Sequence, residues 1–176
     1  MGTKMGKRIF FILVLIFGLT AFGIADEGKG GLGMKITSPD FGNGESIPPK
    51  CSCQGEGTNP ALLITDIPKE AKSLALIVDD PDAPMGTWVH WVMFNIPATN
   101  RIEENSTPGM QGVNDSGNVR YDPMCPPFGT HRYFFKVYAL DALLSLKEGI
   151  KKRDLENAMK GHILDNAELV GVYKKK

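Results

Sequence analysis

Two short segments hold most of the side chains that could do chemistry. Asp79-Asp80-Pro81-Asp82-Ala83-Pro84 is followed by Trp88-Val89-His90-Trp91, and Pro123-Met124-Cys125-Pro126-Pro127-Phe128-Gly129 is followed by His131-Arg132-Tyr133. Two of the three histidines fall in these segments. Imidazole N–H groups, backbone N–H groups of a Pro/Gly loop and the Tyr133 hydroxyl are all donors suited to a small oxyanion. The carboxylates of Asp80 and Asp82 would repel a phosphate by themselves. They can instead fix a histidine tautomer or accept a bond from a ligand amine. A phosphate carrying an ammonium group would use both sets.

Each feature also has a plainer reading. Asp-Pro-Asp-Ala-Pro is a good turn sequence, because Asp side chains bond local backbone and Pro fixes φ. Trp88 and Trp91 suit a core or a pocket wall. Arg132 can pair with an acid or meet a ligand. Asp and His around one cavity are also the raw material of acid–base catalysis, and a Cys125–His131 nucleophile pair would make a small hydrolase. A disulfide at Cys125 would remove that pair. The chain has neither a G-x-S-x-G elbow nor an H-E-x-x-H metal motif. The expectation is a binding protein without catalytic residues, cofactor or metal.

These segments need elements to position them. Residues 73–79 form a near-continuous apolar run, as expected for a strand covered on both faces. Residues 89–96 and 133–140 are rich in aromatic and β-branched side chains. Weaker strands are expected at 34–37, 61–65 and 167–173. Pro- and Gly-rich connections separate them at 39–49, 80–86 and 122–129. Side chains alternate along a strand, so His90 is in phase with Val92, Phe94 and Ile96. His131 is in phase with Tyr133, Phe135 and Val137. Each histidine then starts an apolar strand face. If both starts lie at one end of the fold, both imidazoles line one cavity mouth, and the Asp80–Asp82 loop can close it. One helix is expected, with Leu155, Ala158, Met159, His162 and Ile163 on its buried face and fraying near Gly161. It reads as a packing element, with His162 structural.

The 176 residues carry 20 Lys and Arg against 20 Asp and Glu, room for one domain and no broad basic surface for nucleic acid. Lys4, Lys7 and Arg8 precede an apolar run from Ile9 to Leu19, and Gly23-Ile24-Ala25 offers a cleavage site before Asp26. Residues 1–25 have the layout of a secretory signal peptide, and 26–33 that of a flexible Gly-rich linker. The alternative is an uncleaved N-terminal membrane anchor. Removing three basic and no acidic residues would leave a net charge of −3. Such a body gains nothing from anionic membranes by charge alone. An exported chain, periplasmic or extracellular, favours a disulfide. Cys51 and Cys53 are too close in sequence to bridge easily, so Cys125 should pair with one of them.

At DPDAP (80–84), WVHW (88–91), the CPP run (125–127), HRYFFKVYALD (131–141) and MKGHILDNAELVGVY (159–173), the sequence resembles the phosphatidylethanolamine-binding family, in particular its bacterial and archaeal branch, often named as Raf kinase inhibitor-like. The likeness covers residues 34–173. It implies a mainly β fold, an antiparallel β-sandwich of two sheets with a few peripheral helices, over 34–176. It also implies a pocket for phosphate, acetate or phosphoethanolamine-like head groups. Carried over residue by residue, that pocket is Asp80, Pro84, His90, Pro126, His131 and Tyr133, with Trp88 as a wall. The resemblance further implies a cis peptide in the acidic loop, for which Ala83–Pro84 is the candidate, and a Cys53–Cys125 bridge with Cys51 left over. The connection from Pro84 to Trp88 is shorter than in eukaryotic members, and an exported copy would not meet a cytosolic kinase. Beside the leading expectation of an anion-binding protein that modulates a partner stands a protease or kinase inhibitor acting through its surface. Membrane contact is expected only through the signal peptide or a bound head group.

Overall fold

The computed structural model describes residues 1–2 and 33–176. Apart from Met1, Gly2 and Gly33, the expected signal peptide and linker lie outside the described residues. The chain divides into two units, Met1–Gly31 and a body, Leu32–Lys176. Among the described residues no helix is long and apolar enough to cross a membrane.

The body is mainly β. Its strands are β1 (Lys35–Thr37), β2 (Leu62–Thr65), β3 (Ser73–Asp80), β4 (Trp88–Ile96), β5 (Arg101–Ile102), β6 (Met110–Gln111), β7 (Thr130–Leu140) and β8 (Ile163–Lys174). A 3-10 turn covers Pro49–Cys51, and one helix, α1, covers Lys152–Met159. The strands form two antiparallel sheets, a small one in the order β1-β2-β5 and a large one in the order β6-β4-β3-β7-β8. The six expected strands are all present. The two-residue strands β5 and β6 are additional.

The apolar run of β3 has a simple cause. β3 is the middle strand of the large sheet, and both faces are covered. Leu74, Leu76 and Val78 join Ile36, Leu62 and Ile64 of the small sheet in the main core. Ala75 and Ile77 join Leu155 and Met159 of α1 in a second cluster behind the sheet. Period-2 alternation thus feeds two cores from one strand. Its last two residues, both buried, continue the alternation. Asp79 lies behind the sheet, where Lys136 Nζ at 2.9 Å and Lys152 Nζ at 2.5 Å neutralise it. Asp80 lies on the front.

Three expectations need correction. His90 is not in phase with Val92 and Phe94, which pack in the cluster behind the sheet. Val78 pairs with Trp91 and Asp79 pairs with Val89, so His90 is an extra residue in a β-bulge. A bulge turns the local side-chain phase and is common beside functional sites. His131 does keep its expected phase with Tyr133, Phe135 and Val137, all in the main core. Second, α1 ends at Met159. Gly161 takes the left-handed conformation at φ 80°, and the chain reverses into β8, which pairs Ile163 with Leu140. Leu155 and Met159 are buried as expected, but His162 and Ile163 are exposed, and His162 Nδ1 meets Asp141 Oδ1 at 2.8 Å. Third, Ala83–Pro84 is trans, and no cis peptide occurs among the described residues.

Candidate functional site

The front ends of β3, β4 and β7 meet at one cavity of about 310 Å³. Antiparallel pairing brings Asp80 opposite Trp88 and places the start of β7 beside the end of β3. All seven residues expected at the site line this cavity: Asp80, Pro84, Trp88, His90, Pro126, His131 and Tyr133. Ala83, Met85, Ser116, Asp122, Pro123, Cys125 and Pro127 complete the wall. The cavity is within the size range of small-molecule sites.

The polar groups are fixed by specific bonds. Asp80 is buried, and its Oδ2 lies 2.7 Å from His131 Nδ1. The carboxylate accepts, so Nδ1 carries the hydrogen and Nε2 is left for the cavity. Asp80 Oδ1 accepts from the Asp82 backbone N–H at 2.8 Å, an Asx-type bond that shapes the following loop. His90 Nδ1 donates to the Asp122 carbonyl at 3.0 Å, and the Asp122 N–H donates back to the His90 carbonyl at 3.0 Å. Burial pushes the His90 imidazole below its ordinary value, against the raising pull of the Asp122 bond and of nearby carboxylates. His90 and Tyr133 pack edge to face with centroids 5.2 Å apart.

Tyr133 is the unusual member. The residue is fully buried, and among the described residues its hydroxyl has no hydrogen-bond partner. A buried, unpaired polar atom costs stability, and native proteins rarely leave one without a reason. Burial and the Asp80 carboxylate also raise the pKa of this phenol, so it keeps its proton and can donate.

Arg132 points away. It is absent from the cavity wall and forms a bidentate pair with Asp82, Nε at 2.8 Å and Nη2 at 2.7 Å. That guanidinium holds the Asp82 carboxyl down at about 2. Of the two readings for Arg132, pairing with an acid is the one present. Trp91 lies in the main core, its indole N–H donating to Gln111 Oε1 at 2.8 Å.

A disulfide, Cys53–Cys125, ties the wall residue Cys125 to the segment that follows the 3-10 turn. It reinforces a backbone pairing in which the Cys53 N–H donates to the Met124 carbonyl at 3.1 Å and the Met124 N–H to the Cys51 carbonyl at 3.3 Å. Cys51 is buried and free, and burial pushes its thiol up to about 12. Ser116 and Asp122, which hydrogen-bond to each other, were not legible as site residues. Asp122 acts largely through its backbone, which no side-chain pattern reports.

The comparisons agree with this fold. The family model for phosphatidylethanolamine-binding protein matches residues 37–174. A UPF0098 protein of Chlamydia muridarum is 48% identical over 149 residues, covering 81% of this chain and 99% of the relative. One from Methanothermobacter thermautotrophicus is 45% identical over 150 residues, with the same coverage of both chains. Among solved structures, CT736 of Chlamydia trachomatis, described as a homologue of phosphatidylethanolamine-binding proteins, matches with a TM-score of 0.80 and 46% identity. It is covered over 99% of its length by 82% of this chain. E. coli YbcL, described as a new member of the mammalian PEBP family, matches with a TM-score of 0.75 and 29% identity over the same shares of the two chains. The fold, the matched residues and these relatives together mean that this chain belongs to the phosphatidylethanolamine-binding protein family.

Proposed function

We propose that the protein binds a small oxyanion of the phosphate, phosphoethanolamine or carboxylate class in this cavity, without turnover, and modulates a partner protein through the bound state. The unpaired Tyr133 hydroxyl carries this reading. It is a buried donor in the cavity wall, beside two imidazoles whose Nδ1 atoms are already engaged. An oxygen held between Tyr133 Oη and His131 Nε2 would satisfy both groups. A ligand oxygen that carries a hydrogen there accepts from Tyr133 and donates to Nε2, while Asp80, bonded to Nδ1, acts as scaffold. The wall includes Asp80 and Asp122 and neither Lys nor Arg, which favours a ligand of low net charge, such as one carrying its own ammonium. The sulfur of Cys125 is tied up in the disulfide, which supports binding rather than nucleophilic turnover. The same disulfide suits the exported location expected from the N-terminal sequence.

The test is titration with phosphate and phosphoethanolamine while following the imidazole signals of His90, His131 and His162. Saturable shifts at His90 and His131, absent at His162, are expected. No shift at either site histidine would overturn the reading. Met85 and Phe128, 94% and 68% exposed beside the cavity, favour a second reading, docking of a partner across the cavity mouth. Partner modulation that survives Asp80→Ala and His90→Ala would move that reading to first place.

A further inference from the structure

We infer that Arg132 is a positioning residue of the pocket, which sets the affinity for an anion from outside the cavity by holding the wall formed by residues 81–87. The inference rests on the proposed anion binding and assigns a residue that touches no ligand.

The wall from Ala83 to Met85 belongs to the connection between β3 and β4. Its internal bonds are few. The Asp82 N–H donates to Asp80 Oδ1, and the Gly86 N–H donates to the Ala83 carbonyl at 3.1 Å. Pro81 and Pro84 have no N–H to give. Among the described residues, the hydrogen bonds that tie this connection to any element beyond β3 all come from Arg132. Its backbone N–H, Nε and Nη2 all reach the Asp82 carboxylate, at 3.0, 2.8 and 2.7 Å. A planar guanidinium on a carboxylate fixes orientation as well as distance. The anchor is also well placed. Arg132 lies between His131 and Tyr133, the two residues of β7 that face the cavity, so one strand holds both the donors and the opposite wall.

The pair has an electrostatic role as well. Asp82 directly precedes Ala83 of the cavity wall, so its charge lies beside the site. Arg132 neutralises it. Without Arg132, the wall would loosen and an unpaired carboxylate would stand next to Ala83 of the cavity wall.

The two effects separate in a variant series of the full chain, titrated with inorganic phosphate. Arg132→Ala is expected to weaken phosphate binding about tenfold, within the usual range of coupling between a site and a distant support. Arg132→Lys keeps the charge without the planar fork and is expected to recover only part of that loss. Asp82→Asn in the Arg132→Ala background removes the unmasked charge and leaves the wall loose. Its affinity is expected to stay below wild type. The Met85 methyl signal reports the wall directly, with or without ligand, and is expected to shift or broaden in Arg132→Ala. Wild-type affinity in Arg132→Ala, with Met85 unchanged, overturns the inference. Failure of the wild-type protein to bind either phosphate or phosphoethanolamine would instead overturn the proposed function. In that event an unperturbed Met85 signal in Arg132→Ala would still overturn the positioning role.

Discussion

Asp80 and His131 lie on adjacent strands, β3 and β7, and meet at 2.7 Å between Oδ2 and Nδ1, both side chains buried. The pair is reached because Asp80 continues the front face of β3 while its neighbour Asp79 continues the back. One carboxylate is spent on two lysines behind the sheet, and the other on orienting an imidazole at the cavity. Asp80→Asn keeps the shape and removes the charge. It is expected to weaken phosphate binding about tenfold and to cost roughly 1–3 kcal/mol of stability, as for a buried polar group that loses its partner. Calorimetry with phosphate and chemical unfolding check the two numbers. Unchanged affinity would mean that Asp80 does not orient His131 for binding.

Tyr133 separates function from stability more cleanly. Its hydroxyl has no partner among the described residues, so Tyr133→Phe removes an unsatisfied donor rather than a hydrogen bond. Stability is expected to stay within about 1 kcal/mol of wild type or to rise. Phosphate affinity is expected to fall about tenfold to a hundredfold, the scale of one hydrogen bond to a charged group. A large stability loss with unchanged affinity would reverse the assignment.

His90 makes a prediction about pH. Burial lowers its pKa in the folded state from the ordinary 6.5. Between that lowered value and 6.5, the unfolded chain binds a proton that the folded chain does not. Stability therefore rises with pH in this window. On acidification, stability is lost as pH falls through the unfolded value and levels off below the folded one. His90→Asn keeps a donor for the Asp122 carbonyl and cannot titrate. Unfolding at pH 7.5 and pH 5.5 is expected to show a smaller acid loss in the variant than in wild type. Saturating phosphate is expected to shrink the wild-type loss, because an anion favours the protonated ring. Parallel losses in the two proteins would show that His90 is not the group responsible.

Much of this was legible in the sequence, and the gaps have physical causes. The unbroken apolar run of β3 announced a strand buried on both sides, because both cores draw on it. His131 kept its phase because β7 pairs with β3 without interruption from Ser73 to Asp79. His90 reached the cavity for a different reason from the one its phase suggested. A bulge has no reliable composition signal, and period-2 counting runs straight through it. The helix overran by a turn because His162 and Ile163 extend the 3.6-residue spacing, whereas Gly161 at φ 80° and the pull of a long β7–β8 ladder end it. β5 and β6, at two residues each, are too short to show any period. The site residues themselves were legible through resemblance. Spacing alone offered two histidines and an acidic turn. It could not show that Arg132 would serve the turn and not the ligand.

The disulfide gives the last prediction. Cys53 and Cys125 are 72 residues apart, and closing a loop of that length is worth about 4 kcal/mol in the chain-entropy account. Beyond stability, Cys125 lines the cavity between Pro123 and the Pro126–Pro127 pair. None of these prolines has an N–H to secure the wall. Near them, the backbone is secured by the Met124 pairing with Cys51 and Cys53 and by the exchange between Asp122 and His90. Cys53→Ser is therefore expected to lower the melting temperature and also to weaken phosphate binding. The reduced protein should then show a fixed order of reactivity. Cys125, on the cavity wall, should react with iodoacetamide before Cys51, which is buried and held at about 12. Timed alkylation after mild reduction, with peptide mapping, reads the order directly. Labelling of Cys51 ahead of Cys125 would show that reduction opens the core around Cys51 rather than the pocket wall, and the disulfide would then be a fold staple with no part in the site.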